Sequence, residues 1–344
     1  MGWRDFGEWV LSRLLPDQET RKAEAALTET IERLVQEVSP AIRNIRGYRK
    51  RLRAPVEGAQ KYIEGLVAAI PGPRPLSVEQ GGRDSLTALL FVDADQLRGL
   101  LNDNAELISF FQDNSTTQAV ALLTASCNEK TIFTSVLQGE IIRRDVPQTA
   151  VDFTEHRIVA PAATETLNRR ALSEGGLRLL GLRALEHLTN LKSQKEDLAE
   201  EKRMVGIKLK ILQAHDRSLE GLLESGQDSA AKAVRVREML AEIDQELDTV
   251  TTVLGTPEDA LNHLLSFLNN PEYVLTIQPL SLRLNWMGVK VDENAEDPGT
   301  EISLAEMEIK DRRKRVALLV TINRKEIMVN TRNPQIGRVL GIKS

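Results

Sequence analysis

Residues 188–224 read LTNLKSQKEDLAEEKRMVGIKLKILQAHDRSLEGLLE, and residues 229–255 read SAAKAVRVREMLAEIDQELDTVTTVLG. The spacing of apolar residues in these two stretches decides the fold. In the first, Leu191, Leu198, Val205, Leu212 and Leu219 recur every seven residues as an unbroken apolar d seam. The a positions are Leu188, Lys195, Lys202, Leu209, Asp216 and Leu223, half of them charged. In the second, Ala233, Val236, Leu240, Ile243, Leu247, Val250 and Leu254 repeat at alternating steps of three and four up to Gly255. The polar run Glu224-Ser225-Gly226-Gln227-Asp228 separates them. Two amphipathic helices joined by a short polar turn fold back on each other, so the pattern predicts an antiparallel hairpin.

The arms of this hairpin are unequal. At 1.5 Å per residue the first, over 177–223, is roughly 70 Å long and the second roughly 40 Å. The surplus must pack on the next helix, which starts at a Thr256 cap and Pro257, or on another subunit. This is the reason to expect a homo-oligomer.

Working outward, the segment before the hairpin changes character. Residues 76–162 read as a small α+β domain with short helices at Asp93–Asn102 and Ala105–Gln112. Strands are expected at Ala119–Ala125, Thr131–Leu137, Glu140–Arg144 and Thr149–Val159, with a turn at Asn128-Glu129-Lys130. Residues 1–75 read as a helical region: an amphipathic helix over 2–15, a second over 17–38 ending at Ser39-Pro40, a third to about Pro55 and a fourth over 56–70. The Pro71-Gly72-Pro73-Arg74-Pro75 run closes that region.

After Asn270-Pro271 the period falls to two. Leu280, Leu282, Leu284 and Trp286 alternate with Ser281, Arg283 and Asn285, the pattern of a half-buried antiparallel strand. Further strands fit Tyr273–Ile277, Ile302–Ile309, Val316–Ile322 and Glu326–Asn330, the last two joined by a tight turn around Asn323-Arg324-Lys325. The fold class is therefore α+β, with N-terminal helices over 1–75, a small α+β module over 76–162, a long helical hairpin over 163–270 and an antiparallel β domain over 271–344.

Composition narrows the function classes. The chain has 344 residues, 41% hydrophobic and 28% charged, values of an ordinary globular protein with more than one domain. Cys127 is the sole cysteine, which excludes an internal disulfide and a cysteine-cluster zinc site. No apolar run approaches the roughly 20 residues of a bilayer span, so a cytoplasmic chain is expected. Charge is segregated: residues 1–75 carry 13 basic and 10 acidic side chains, whereas residues 76–160 carry 6 and 12. Basic ends and an acidic middle suggest ends that meet anions or the middle of a neighbouring copy.

Two stretches are candidate contact surfaces. Trp3, Phe6, Val10 and Leu14 share one face of the first helix, suited to a bilayer interface or to packing on a protein partner. Arg43, Arg46, Arg49, Lys50, Arg51 and Arg53 fall within eleven residues with no acid among them, next to an apolar face at Ile42, Ile45 and Leu52. A basic amphipathic helix of this kind meets an anionic membrane or, less readily, nucleic acid; the competing reading is a solvated face answered by the acidic middle. The run Asp311-Arg312-Arg313-Lys314-Arg315 has the look of an ordinary hairpin turn.

Catalytic constellations are absent from the pattern. There is no phosphate loop, dinucleotide fingerprint, nucleophile elbow or His-Glu-x-x-His helix, and His156, His187, His215 and His263 are far apart in sequence. Cys127 and His156 share a module, but a small thiol in a sheet is ordinarily a core residue. Asp93, Asp95 and Asp103 lack the glycine and terminal glutamate of a calcium loop, and Asp93 suits a helix cap. No catalytic residue, cofactor, metal or small-molecule substrate is expected. The pattern points to a non-enzymatic, self-associating scaffold whose hairpin seam is Leu191, Leu198, Val205, Leu212, Leu219, Leu240, Ile243, Leu247 and Val250.

Overall fold

The computed structural model describes residues 18–78, 85–138, 141–216, 227–254, 256–291 and 299–328. The helices are α1 (Gln18–Val38), α2 (Tyr48–Ala68), α3 (Ser85–Leu90), α4 (Ala94–Asn102), α5 (Ala105–Asp113), α6 (Glu165–Asp216), α7 (Gln227–Leu254), α8 (Pro257–Asn269) and α9 (Arg324–Met328). The strands are β1 (Arg74–Leu76), β2 (Gln118–Gln138), β3 (Ile141–Ala162), β4 (Leu275–Leu284), β5 (Thr300–Ile309) and β6 (Arg315–Asn323). The class is α+β, and the chain divides into two compact units, residues 1–59 with 178–270 and residues 60–177 with 271–344.

In the first unit, α1 buries Ile31, Leu34, Val35 and Val38, the one-sided spacing of an amphipathic helix, and stops where Ser39 turns extended before Pro40. A 3-10 turn over Pro40–Asn44 buries Ile42, and Gly47 then takes φ +78° before α2 begins. The helices expected on either side of Pro55 are in fact one. Proline there removes the bond to the Arg51 carbonyl, yet Leu52, Val56 and Ala59, with Ile63 and Val67 where the helix runs on into the second unit, are all buried on one face, and that packing outweighs the lost bond. The basic run 43–53 is correspondingly not one helix, because Gly47 interrupts it. At the other end of the unit, Thr256 and Asp259 form the capping box that starts α8, as the Thr-Pro signal suggested.

The second unit is a six-stranded sheet in the order β3-β2-β6-β5-β4, antiparallel throughout, with β1 added parallel to β6. Strands expected in two modules, before and after the hairpin, thus lie in one sheet. Residues 74–76, placed by the sequence pattern in a helical region, belong to it as well. At the entrance to β1, Gly72 has φ +106°, and a Cβ there would collide with the Leu319 carbonyl oxygen, so only glycine fits.

β6 reads RVALLVTIN and is buried from Val316 to Val320, the continuous apolar run of a strand covered on both faces. Its even-numbered residues join Ala119, Ala121, Leu123 and Ala125 of β2 in the main core, together with Leu97 and Leu101 of α4 and Leu107 and Phe111 of α5. Asp93 caps α4 by accepting from Gln96 N at 2.7 Å, and Asn104 caps α5 at Leu107 N.

Four local expectations fail, each for a packing reason. β2 and β3 are single long strands, with no turn at 128–130. Asn128 Nδ2 donates to Thr154 Oγ1 at 2.9 Å, Lys130 pairs with Asp152 and Glu129 with Lys290, so polar residues that resemble a turn are satisfied across strands. Residues 275–284 form one strand through Pro279 after a 3-10 turn over Pro271–Tyr273; β4 lies at the sheet edge, where a missing donor is tolerated. Trp286 leaves the buried alternation and is 84% exposed, in a turn where Asn285 Oδ1 accepts from Met287 N and Val289 N. Arg324–Met328 is a short helix where a strand was expected, and Ile327 packs on the main core. The helix α3 was not foreseen.

β3 carries three register irregularities against β2, and Asp145, Glu155 and Ala160 beside them have φ of 57°, 52° and 53°. Each is a bulge that bends an edge strand and re-aims its side chains.

Candidate functional site

The hairpin supplies the most extended candidate surface. Leu198, Val205, Ile243 and Val250 form a buried cluster, with Val236, Leu240 and Leu247 half-buried against it. Seven residues forward on α6, from Leu198 to Val205, answer seven back on α7, from Val250 to Ile243, the relation of antiparallel arms. Lys202 Nζ meets Asp244 Oδ1 at 2.5 Å in the same register. The Asp244 carboxylate, by hydrogen bond and charge, raises the Lys202 pKa. Leu191 and Leu212 are half-buried, and Leu219 lies outside the described residues.

The pairing leaves apolar side chains uncovered. Met204, Ile207 and Ile211 follow one another at steps of three and four on α6 and are 47%, 41% and 62% exposed. On an ideal helix they sit within about 60° of one another, away from the Leu198 and Val205 line. Val234 and Met239 are exposed on α7. Spacing alone hid this stripe, because the heptad frame assigns Met204, Ile207 and Ile211 to neither a nor d.

The basic stretch is largely answered within its own unit. Glu32 accepts from Tyr48 Oη at 2.6 Å and from Arg49 Nε at 2.7 Å, and lies 3.2 Å from Arg43 Nε. The Tyr48 hydrogen bond, then Arg49 and Arg43, hold the Glu32 carboxyl below its usual range. Arg53 meets Glu24 at 2.8 Å and Glu57 at 3.3 Å. Arg51 pairs with Glu258 and donates to Asn262 Oδ1 at 3.1 Å. Arg46 and Lys50 are exposed and form no ion pair among the described residues. The acids that answer the run come from α1, α2 and α8, not from the acidic segment 76–160. Trp3, Phe6, Val10 and Leu14 lie outside the described residues.

The remaining reactive side chains are dispersed. Cys127 stands opposite Phe153, and burial, then Glu129, push its thiol pKa up, the reverse of what a nucleophile needs. His156 is not among its charged neighbours; that ring stacks on Phe91 at 4.5 Å. His187 and His263, distant in sequence, meet edge to face at 5.1 Å beside Phe267. Among the described residues no group of three or more His, Cys, Asp or Glu could hold a metal ion, and no helix is long and apolar enough to cross a membrane. The chain matches no family model, no curated protein and no solved structure.

Proposed function

We propose that the protein is a non-enzymatic, self-associating structural protein, and that the α6/α7 hairpin is the element through which copies meet. The observation that carries this reading is the exposed Met204-Ile207-Ile211 stripe beside a seam with few buried side chains. Exposed apolar side chains in register along a helix are covered in most stable assemblies.

Charge favours a second copy of the same chain as the cover. Residues 202–210 of α6 carry Lys202, Arg203, Lys208 and Lys210 with no acid, while residues 238–248 of α7 carry Glu238, Glu242, Asp244, Glu246 and Asp248 with no base. Within one hairpin, Lys208, Lys210, Glu238, Glu242 and Glu246 have no ion pair among the described residues. A two-fold axis that sets α6 of one copy beside α7 of the other brings these sets together. The available area is sufficient. Two helices about 40 Å long and about 10 Å wide cover roughly 800 Å² per partner, the size of a standard interface.

Light scattering coupled to size-exclusion chromatography, over a concentration series, tests the reading. The expected result is a dimer or larger species that the triple variant Met204→Lys, Ile207→Glu, Ile211→Lys converts to a monomer with unchanged helical content. A monomer at every concentration, or an oligomer indifferent to the triple variant, removes the proposal.

A further inference from the structure

The run Asp311–Arg315 gains a setting in the sheet that its sequence does not suggest. β3, β2 and β6 lie side by side, with Thr124 facing Arg157 on one flank and Ala317 on the other. One two-residue step along each strand brings Ser126 of β2 and Arg315 of β6 onto that same face. The bulge at Glu155 turns its carboxylate toward them. Ser126 Oγ donates to Glu155 Oε2 at 2.9 Å, Arg315 Nη1 donates to the same oxygen at 3.4 Å, and Arg315 Nη2 donates to the Glu155 carbonyl.

Two further guanidinium groups act on this carboxylate. The Ser126 hydrogen bond, then Arg313, Arg315 and Arg157, hold Glu155 below the ordinary carboxylate range. Among the described residues Arg315 alone pairs with this carboxylate, while Arg157 stands two residues from Glu155 on β3 and Arg313 two residues from Arg315, so the three guanidinium groups outnumber the one carboxylate they act on by two positive charges. Arg315 feels the excess: burial first, then Arg157, disfavour its charged form, and its Nε is buried with no acceptor among the described residues. Lys314 is engaged elsewhere, with Glu306 at 3.1 Å and Glu308 at 3.3 Å. Arg157 and Arg313 are exposed and form no ion pair among the described residues.

Clamping the bulge accounts for Arg315 but not for Arg157 and Arg313, which add repulsion to the same spot. We propose that Arg157, Arg313 and Arg315 form a binding site for a phosphate-type dianion, with Ser126 and Glu155 fixing the Arg315 guanidinium beside it. A phosphate monoester carries about −1.5 to −2 at neutral pH, which cancels the excess, whereas a carboxylate cancels half of it. Planar guanidinium forks suit its oxygens.

Calorimetric titration of the full chain with inorganic phosphate, methyl phosphate and acetate, at fixed ionic strength, tests this. Saturable phosphate binding is expected, with acetate at least about tenfold weaker. Arg157→Gln and Arg313→Gln, at exposed positions, should each weaken phosphate about tenfold without moving the melting temperature, and Glu155→Gln should tighten it by removing the competing charge. Methyl phosphate binding as well as inorganic phosphate assigns the site to ester-borne groups; inorganic phosphate alone assigns it to the free ion. Absence of saturable phosphate binding, equal binding of acetate, or indifference to both arginine variants overturns the site.

Discussion

Replacing Ile243 with aspartate probes whether the two arms stabilise one another. Ile243 is 5% exposed, in the cluster with Leu198, Val205 and Val250. The change removes about 1.5–3 kcal/mol of side-chain burial. It also sets a carboxylate beside Asp244, whose cation, Lys202, is already engaged. An unpaired charge in a fully buried site costs about 3–5 kcal/mol. This seam is only two helices thick, and a tilted side chain reaches water, which favours the lower figure. About 3 kcal/mol corresponds to a rise of more than a hundredfold in the local opening equilibrium. Amide hydrogen exchange followed by mass spectrometry reads this, with residues 195–212 and 236–252 expected to open as a local unit. Protection there should fall about a hundredfold while β2 and β6 keep theirs, and Ile243→Val should cost only about 0.5–1.5 kcal/mol. Unchanged protection in the aspartate variant would refute pairing of the arms, and an equal loss in β2 and β6 would refute the hairpin as a separate cooperative element.

Two other perturbations address the sheet. Gly72→Ala combines a left-handed φ with a collision at the Leu319 carbonyl, so it should lower stability by at least about 1–3 kcal/mol and the melting temperature by several degrees; a melt superimposable on the parent would contradict the close approach. Burial lowers the pKa of His156 below its ordinary value of 6.5, so the folded chain holds this ring neutral where the unfolded chain protonates it. The unfolded state then binds more protons as pH falls below about 6.5, and stability is lost over the range from there down toward the folded pKa. Thermal melts at pH 7.5 and 5.5 should show a smaller drop for His156→Phe, which retains a ring to stack on Phe91; an equal drop in both proteins would exclude His156 as the titrating group.

The long helices over 165–216 and 227–254 were readable because their apolar residues repeat at a fixed period, and the Thr256 and Asp93 caps because local chemistry alone determines them. The sheet was readable only in pieces. Residues 74–76, 118–162 and 275–323 are far apart in the chain, and nothing in their local patterns says that they share hydrogen bonds. Pro55 and Asn128-Glu129-Lys130 misled for a related reason. A breaker or a polar run has a local preference worth little against the burial of five apolar side chains or a set of cross-strand partners. The exposed stripe at Met204, Ile207 and Ile211 was missed because a heptad frame records only the residues that face one partner.

The two basic runs show why the number of cations in a stretch of sequence is a poor guide to a free site. Arg43–Arg53 is the longer run, yet Glu24, Glu32, Glu57 and Glu258 engage four of its six cations, and the Glu32 carboxyl alone serves Arg43 and Arg49. Asp311–Arg315 is the shorter run, and Lys314 is already taken by Glu306 and Glu308. Arg313 and Arg315 nevertheless act on the Glu155 carboxylate together with Arg157, which β3 places beside the Glu155 bulge. What decides whether a cation is available is the number of carboxylates the fold places within reach, and that number depends on strand order and on one bulge. The long run reads as a structural brace between helices; the proposed anion site lies where the sequence looked ordinary.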